Sequence, residues 1–349
     1  MTASGALIDS DPAPARQQAR ALARSQAGQG TGVHADSVPD PLNPHQVLWN
    51  TAQFAGLRPG MAENRLVVDH RDHKNRLVGS LSGVVEEGVW TSGYSAPFGG
   101  IDLTRGSETA DNVMALVARA VDVARREGIN RIEVRCKPPH STPSEPLVAF
   151  ALFQAGFAVV ESDLNFYIPL DGISELGEWE AGLRKQARRA LREARALGLT
   201  TRQLDPEDES GWELAYEVLR DNRIEKGRPM RLPLEYILGI RDCFGPLVRM
   251  LVTEEDRHTV AAALLYRVGR GRDVVQYWGD NAPHLAVSPM PVMVAAVVEH
   301  GLHTGASVLD IGISTDHGEP NLGLIQFKRA FGCSTELRTT MALDLREDR

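Results

Sequence analysis

The side chain whose position in the sequence is hardest to explain without chemistry is that of Lys328. The segment Leu324–Gly332 is predicted to form a short helix that ends at its glycine. At about 100° per residue, Phe327, Phe331 and Ile325 share one apolar arc, and Lys328 lies inside that arc. A cation on a surface that faces the core must be paired, must reach solvent along its own stem, or must take part in chemistry.

The elements that surround this lysine are predicted to occur twice in the chain. In each half a helix ends at a glycine (Gly128, Gly305) and a strand follows, and then a second helix ends at a glycine (Gly156, Gly332) before a last strand. The first pair of glycines is 177 residues apart and the second pair 176. We interpret this as a duplicated unit, with two unrelated α/β domains as the alternative. Leu152 occupies the position that corresponds to Lys328, so the second copy is predicted to carry the chemistry.

The second half also contains a basic helix and a meander of strands. Glu180–Leu197 is predicted to be an amphipathic helix with arginines along its outer face. Leu247–Thr253, Val260–Val268 and Val274–Trp278 are predicted to be antiparallel strands joined by polar turns. The fold class is therefore α/β (α+β), with a mixed, mainly antiparallel sheet flanked by helices in each half.

The composition excludes several classes of protein. The 349 residues carry a net charge of −8, which argues against binding nucleic acid over most of the surface. No apolar run approaches the roughly 20 residues that cross a bilayer, and no secretory signal is evident. Three widely spaced cysteines and ten histidines without ligand spacing predict no disulfide framework and no metal site, as in a cytoplasmic protein.

The ordered part of the chain is predicted to begin near residue 43. Residues 1–42 are poor in large apolar side chains and are predicted to be a disordered leader. Residues 43–172 then form the first domain and residues 173–349 the second.

Several segments, in their order along residues 45–345, resemble the tandem-GNAT FemABX family of peptidyl and aminoacyl transferases. They are Ser95–Gly100, the basic helix Leu183–Leu197, Lys226–Pro229, Tyr277–Asp280, Leu309–Ser314 and Gly323–Gly332. The resemblance implies two tandem GNAT-like domains. It also implies that Phe327 and Lys328 lie beside the acyl-transfer centre, because a Phe-Lys pair does so in that family.

The sequence departs from GNAT domains that use acyl-CoA at the start of the helix after Trp278. Those domains bind pyrophosphate on backbone N–H groups of a glycine-containing loop, whereas this helix is preceded by Asn281–Pro291. That segment lacks glycine, and Pro289 and Pro291 remove two N–H donors. The departure disfavours acetyl-CoA as the donor. The chain also lacks the coiled-coil arm that some members of the family insert near the basic helix.

The resemblance implies formation of an amide from an activated ester or thioester. Lys328 can supply a fixed cation for the oxyanion, a contribution of roughly 3 kcal/mol to lowering the barrier. The alternative is a salt bridge from Lys328 to Asp310 or Glu319 that ties helix to strand. Asp310 is the second candidate catalytic residue, to orient the incoming amine or to pair with Lys328. A solvated carboxylate at the end of a strand explains Asp310 equally well.

The remaining candidates are substrate-binding residues, each with a purely structural alternative such as a turn, a core position or a solvated charge. Those near the second-half strands are Tyr277, Trp278, Ser314 and Asn321. Those predicted to wall an acceptor pocket are Tyr94, Ser95, Phe98 and Gly99. Arg228 can bind a carboxylate or phosphate of the acceptor. The residues predicted to contact tRNA phosphates are Arg184, Lys185, Arg188 and Arg192.

The leading hypothesis is a transferase that moves an aminoacyl group from aminoacyl-tRNA to the amine of a small metabolite or cell-wall precursor. It needs no cofactor other than this co-substrate. One alternative keeps the fold and uses acyl-CoA or an acyl carrier protein as donor. Another is a binding protein whose site has decayed.

Overall fold

The computed structural model describes residues 47–316 and 318–346. The predicted leader, residues 1–42, lies outside the described residues. Within them, no helix combines the length and apolar character needed to cross a membrane.

The helices and strands predicted from the sequence occur in their predicted order among the elements of the described chain. The helices are α1 (Ala52–Ala55), α2 (Ala110–Arg126), α3 (Glu145–Gln154), α4 (Leu176–Gly182), α5 (Lys185–Arg195), α6 (Glu209–Glu225), α7 (Leu234–Phe244), α8 (Met290–His303) and α9 (Leu322–Ala330). The strands are β1 (Arg65–Arg71), β2 (Leu77–Glu86), β3 (Val89–Ser92), β4 (Ile101–Leu103), β5 (Arg131–Arg135), β6 (Ala158–Pro169), β7 (Thr200–Gln203), β8 (Val248–Glu255), β9 (His258–Gly269), β10 (Arg272–Asp280), β11 (Val308–Ile313), β12 (Thr315–Asp316), β13 (Glu319–Pro320) and β14 (Ser334–Asp344). The mixed, mainly antiparallel sheet with flanking helices is confirmed.

One sheet of twelve strands runs through both halves of the described chain, in the order β1-β2-β3-β5-β14-β6-β11-β10-β9-β8-β7, with β4 on β2. The two halves exchange their last strands. The first half ends in β6, which pairs with β11 of the second half. The second half ends in β14, which pairs with β5 of the first half, and the two exchanged strands pair with each other.

The element starts repeat at nearly constant spacing. β5 and β11 begin 177 residues apart (131 and 308), α3 and α9 also 177 (145 and 322), and β6 and β14 176 (158 and 334). The order α2-β5-α3-β6 of the first half therefore recurs as α8-β11-α9-β14 in the second, apart from the short strands β12 and β13.

The basic segment differs from its predicted form. Two helices, α4 and α5, stand where one helix over Glu180–Leu197 was predicted. Leu183 and Arg184 between them have extended backbone, with ψ near 150°. Gly182 lowers helix propensity at this point, and Leu183 gains burial by leaving the helical path, with only 3% of its surface exposed.

Candidate functional site

The sheet opens between β10 and β11. These two parallel strands pair only from Arg272 with Val308 to Val274 with Asp310, and beyond that point they diverge. A cleft of about 1490 Å³ occupies the opening. Its walls include the diverging ends of both strands, helix α9, the α6–α7 connection and, from the first half, Ser95–Pro97.

Lys328 lies at this opening with its side chain buried. Asn321 begins α9 as the N-cap, its Oδ1 accepting a hydrogen bond from the Leu324 N–H at 3.0 Å, and this orientation turns Lys328 towards β11. Only 1% of the surface of Lys328 is exposed. The sequence prediction that this lysine faces inward from an apolar helical surface agrees with the structure.

The partners of Lys328 are backbone carbonyl oxygens rather than a carboxylate. Its Nζ donates to the carbonyls of Ile311, Gly312 and Ile313 at 2.9, 2.8 and 3.0 Å. The Nζ also lies 5.2 Å from the ring centroid of Phe166. Three carbonyls match the three N–H groups of an ammonium, so this lysine fixes the end of β11 that borders the cleft.

The charge state of Lys328 is sensitive to its surroundings. Burial lowers the pKa of its ammonium to about 7, with the Asp310 carboxylate acting in the opposite direction. Arg338 and Arg228 lower the pKa further through repulsion. An added negative charge in the cleft would therefore favour the ammonium form.

Asp310 holds the same stretch of β11 from its other side. Its Oδ1 accepts hydrogen bonds from the Gly312 N–H at 2.7 Å and from Asn165 Nδ2 at 3.3 Å. Gly312 has a φ of +73°, and the pairing of β11 with β6 shifts register between Asp310 and Ile313. The carboxylate is 2% exposed, so it is a buried anchor of the bulge rather than a solvated strand-end residue.

Aromatic side chains form one wall of the cleft. Phe327 contacts Trp278 edge to face, with centroids 6.3 Å apart, and lies 4.8 Å from the ring of Phe331. Tyr277 also lines the cleft, and the Arg223 guanidinium stands 5.0 Å above its ring. Burial raises the pKa of the Tyr277 hydroxyl, which keeps it a neutral donor.

The opposite rim is cationic. Arg228 lines the cleft and is close enough to Lys328 to depress its pKa. Arg223 beside it donates from Nε to the Pro229 carbonyl at 3.0 Å, and burial lowers its pKa. Within the described chain, eight lysines and arginines and five carboxylates line the cleft, although the whole protein is acidic.

Helix α5 borders the cleft and turns its basic side outwards. Gln186, Ala187 and Ala190 line the cleft from this helix. The side chains predicted to contact tRNA are all exposed: Arg184, Lys185, Arg188 and Arg192. The exposed charges thus stand next to the opening of the cleft.

Several predicted substrate-binding residues do not reach the cleft. Phe98 is 1% exposed and packs edge to face on Trp49, with centroids 4.9 Å apart. Gly99 is required by packing, since a Cβ there would lie 2.2 Å from the backbone nitrogen of Gly93. The Tyr94 hydroxyl donates to Glu86 at 2.8 Å and its ring packs on the core.

Ser314 is also buried, and Asn321 acts as a helix cap. Ser314 is 1% exposed and its N–H donates to the Leu164 carbonyl at 2.9 Å. Asn321 lines the cleft, but its Oδ1 is used in capping α9. Of the first-half candidates, Ser95 does line the cleft.

Sequence reasoning missed a buried polar cluster directly behind β11. It consists of His140, Asn165, Asp310 and Glu336, from four different elements. Residues this far apart in sequence share no spacing signal. The one available clue was a histidine that follows two prolines shortly after a strand of the first copy.

The N–H groups and side chains at the start of α8, the helix that follows Trp278, are already occupied by protein groups. Pro289 caps the helix and Pro291 stands in its first turn. Ser288 Oγ accepts from the Met290 N–H at 3.2 Å and donates to the Asp280 carboxylate at 2.8 Å. A carboxylate at this position repels an anionic ligand.

The sequence matches no protein-family model and no curated protein, but the fold has clear structural neighbours. It is similar to FemX, with a TM-score of 0.61 and 13% identity over 81% of this chain and 89% of FemX. It is similar to the C-terminal domain of a protein assigned as a lysylphosphatidylglycerol synthetase from Agrobacterium fabrum (TM-score 0.55, 13% identity, 95% of this chain and 92% of that one). It is also similar to L-PGS from Bacillus licheniformis (TM-score 0.53, 11% identity, 81% and 85%). The chain therefore shares its fold with FemX and with these two other structures.

Proposed function

We propose that this protein is a cytoplasmic N-acyltransferase that forms an amide by moving an aminoacyl group from aminoacyl-tRNA to an amine. The acceptor is a small metabolite or a cell-wall precursor. The observation that carries the proposal is the buried Lys328 cation at the opening between β10 and β11, inside a cleft large enough for two substrates.

The reaction in such a cleft joins the two substrates directly. The amine nitrogen attacks the ester carbonyl carbon, the C–N bond forms, and the C–O bond to the ribose breaks. The proton lost by the amine goes to the leaving 3′-oxygen of the ribose. The oxyanion of the tetrahedral intermediate develops next to a poorly solvated positive charge, where such stabilisation is strongest.

In this arrangement Lys328 acts through its charge rather than by donating a hydrogen bond to the oxyanion. All three of its hydrogen bonds go to the β11 carbonyls. The oxyanion favours the ammonium form of a group whose pKa is lowered by burial to about 7. The lysine therefore becomes more fully charged as the intermediate forms.

The charge distribution supports a polyanionic donor. The cleft has an excess of cationic side chains in a protein of net charge −8, and the basic side of α5 stands at its opening. The acceptor end of a tRNA presents phosphates to such a surface. Its affinity falls as salt is added, because the release of counterions then contributes less free energy to binding.

The occupied start of α8 supports tRNA over acyl-CoA as the donor. Pyrophosphate recognition needs free backbone N–H groups at a helix start, and here Ser288 already accepts from Met290 while Asp280 adds a negative charge. The fold shared with a protein assigned as a lysylphosphatidylglycerol synthetase favours aminoacyl transfer as well.

The experiment incubates the protein with tRNA charged with labelled amino acids and with a pool of small amines, in parallel with acetyl-CoA and the same pool. Mass analysis of the products identifies the new amide. The proposal predicts an amide product in the reactions with charged tRNA and none in those with acetyl-CoA. The rate of product formation should fall steeply with added salt. A product formed only with acetyl-CoA would mean that acyl-CoA is the donor. The absence of product with either donor would refute transferase activity.

A further inference from the structure

A cluster of buried polar side chains links the first half of the chain to the end of β11 that diverges from β10. His140 lies in the turn after β5, Asn165 on β6, Asp310 on β11 and Glu336 on β14. The side chains of His140, Asp310 and Glu336 are 7%, 2% and 11% exposed. Two carboxylates and one imidazole thus share a space from which water is largely excluded, where each unpaired charge is costly.

Glu336 fixes the orientation of the imidazole. One carboxylate oxygen accepts the backbone N–H of His140 at 2.9 Å, and the other lies in very short contact with Nδ1. The ring also stacks on Tyr167, with centroids 4.7 Å apart. Because Nδ1 faces a carboxylate, it carries a proton, and the remaining nitrogen, Nε2, is held pointing away from Glu336.

The Nε2 atom faces the carboxylate that holds the bulge. It lies 3.7 Å from Asp310 Oδ2. Among the described residues this oxygen has no hydrogen-bond partner, although it is buried. Asp310 Oδ1, in contrast, accepts from Gly312 N–H at 2.7 Å. With a proton on Nε2 as well as on Nδ1, the ring is a cation between two carboxylates, and a small approach of Nε2 gives Oδ2 a hydrogen bond.

We propose that His140 is a positioning residue of the acyl-transfer site, acting through Asp310 on the bulge of β11. The series of contacts runs from Glu336 to His140, from His140 to Asp310, and from Asp310 to the Gly312 N–H. The same bulge offers its carbonyls to Lys328, so the first half sets the position of the cation in the second. This inference rests on the proposed function.

The exchange of strands explains why such a contact is useful. β6 and β14 lie between β5 and β11 in the sheet, and each belongs in sequence to the opposite half. His140 reaches across both exchanged strands. A displacement of about 1 Å at a catalytic group can reduce turnover about a hundredfold, so a rigid link to the bulge has a large effect on the reaction.

Two substitutions separate the two contacts of the imidazole. In His140→Asn the amide nitrogen takes the place of Nδ1, so the contact with Glu336 is kept and the contact with Asp310 is lost. In His140→Gln it takes the place of Nε2, keeping Asp310 and losing Glu336. We expect His140→Asn to lower kcat about a hundredfold with KM for charged tRNA unchanged, and His140→Gln to keep most of the turnover. The control is His284→Asn, which breaks an exposed His–Glu pair with Glu255 and should change neither constant.

The assay follows loss of the labelled aminoacyl ester from charged tRNA in the presence of the amine pool, on protein checked by thermal unfolding. A double-mutant cycle combines His140→Asn with Asp310→Asn, and the effects on kcat should be strongly non-additive. If His140→Asn is unstable, Asp310→Asn tests the same contact from its other partner and should lower kcat with KM unchanged. Equal loss in both His140 variants, no loss in either, or an additive cycle overturns the inference. An inactive wild type instead refutes the proposed function.

Discussion

The two halves of the chain open their sheets at equivalent places and differ in what fills the opening. In the first half, β3 and β5 pair from Val89 with Arg131 to Ser92 with Val134, and the chain that leaves β3 folds back into the gap. The Gly99 N–H donates to the Arg135 carbonyl at 2.9 Å and closes it. In the second half, β10 and β11 diverge beyond Asp310 and the gap remains a cleft.

Each opening also has a buried lysine, and the two lysines are used differently. In the first half, Lys137 Nζ lies 2.7 Å from Asp102 and 2.6 Å from the Ile101 carbonyl, a closed ion pair inside the protein. In the second half, Lys328 bonds to neutral carbonyls and keeps its charge uncompensated by direct contact. A filled opening therefore serves stability, whereas an open one leaves a cation available to a ligand.

The largest expected effect is on turnover by Lys328→Met. This change removes the charge at nearly constant volume, so turnover of charged tRNA should fall by about 10²–10³-fold, the usual effect of losing one electrostatic stabiliser of an oxyanion. Initial rates on protein of verified fold measure it. The matched control is Lys137→Met, which should keep turnover per folded molecule. Equal losses of turnover in both variants would contradict the different roles assigned to the two lysines.

The next effect is on stability by Lys137→Met. Removing this cation leaves the Asp102 carboxylate buried, with 4% of its side chain exposed, and should lower the free energy of unfolding by about 3–5 kcal/mol. Denaturant titration measures the loss. Adding Asp102→Asn removes the unpaired carboxylate charge and should restore part of the lost free energy of unfolding. A double variant as unstable as Lys137→Met would contradict the assignment of a buried ion pair.

Two glycine substitutions are expected to have smaller effects on stability. Gly99→Ala forces a Cβ against Gly93 and should destabilise the protein by about 1–3 kcal/mol, whereas turnover per folded molecule is retained. Gly312→Ala meets no atom within 4 Å but must adopt a φ of +73°, at a cost of about 1–2 kcal/mol. Because Gly312 borders the cleft, we expect its variant to lose turnover as well. Measurements of unfolding and of reaction rate on the same samples separate the effect on stability from the effect on turnover.

The burial of Lys328 also predicts a shifted titration of its ammonium. Burial depresses the Lys328 pKa to about 7 from an unfolded value of 10.5, so the unfolded chain binds more protons between these values. The Lys328 contribution to the free energy of unfolding therefore increases as pH rises from about 7 to 10.5. Nζ resonances of ¹⁵N-labelled lysine, assigned with Lys328→Met, should show the midpoint near 7. A midpoint near 10 would contradict the buried environment.

The sequence predicted those parts of the fold that depend on local periodicity. Helical spacing placed Lys328 on the inner face of its helix, and the repeated glycines identified the duplicated element order, because both signals arise from neighbouring residues. Asn321 was open to two interpretations, and its capping contact follows the turn chemistry of asparagine.

The parts that depend on long-range pairing were not predictable. The exchange of β6 and β14 leaves no local trace, since either strand fits either half by its pattern. The contacts of His140 with Glu336 span 196 residues for the same reason. Phe98 and Gly99 suggested a pocket wall by type, but packing against Trp49 and Gly93 decides their position.

The central claim is that acyl transfer takes place in the cleft between β10 and β11, beside Lys328. A crystal structure with a non-hydrolysable 3′-aminoacyl-amide analogue of the terminal tRNA adenosine tests it most directly. We expect the acyl carbonyl between the splayed strands, next to the β11 bulge, with the nucleotide towards the basic side of α5. An analogue bound in the first half, or outside the cleft altogether, would contradict the account.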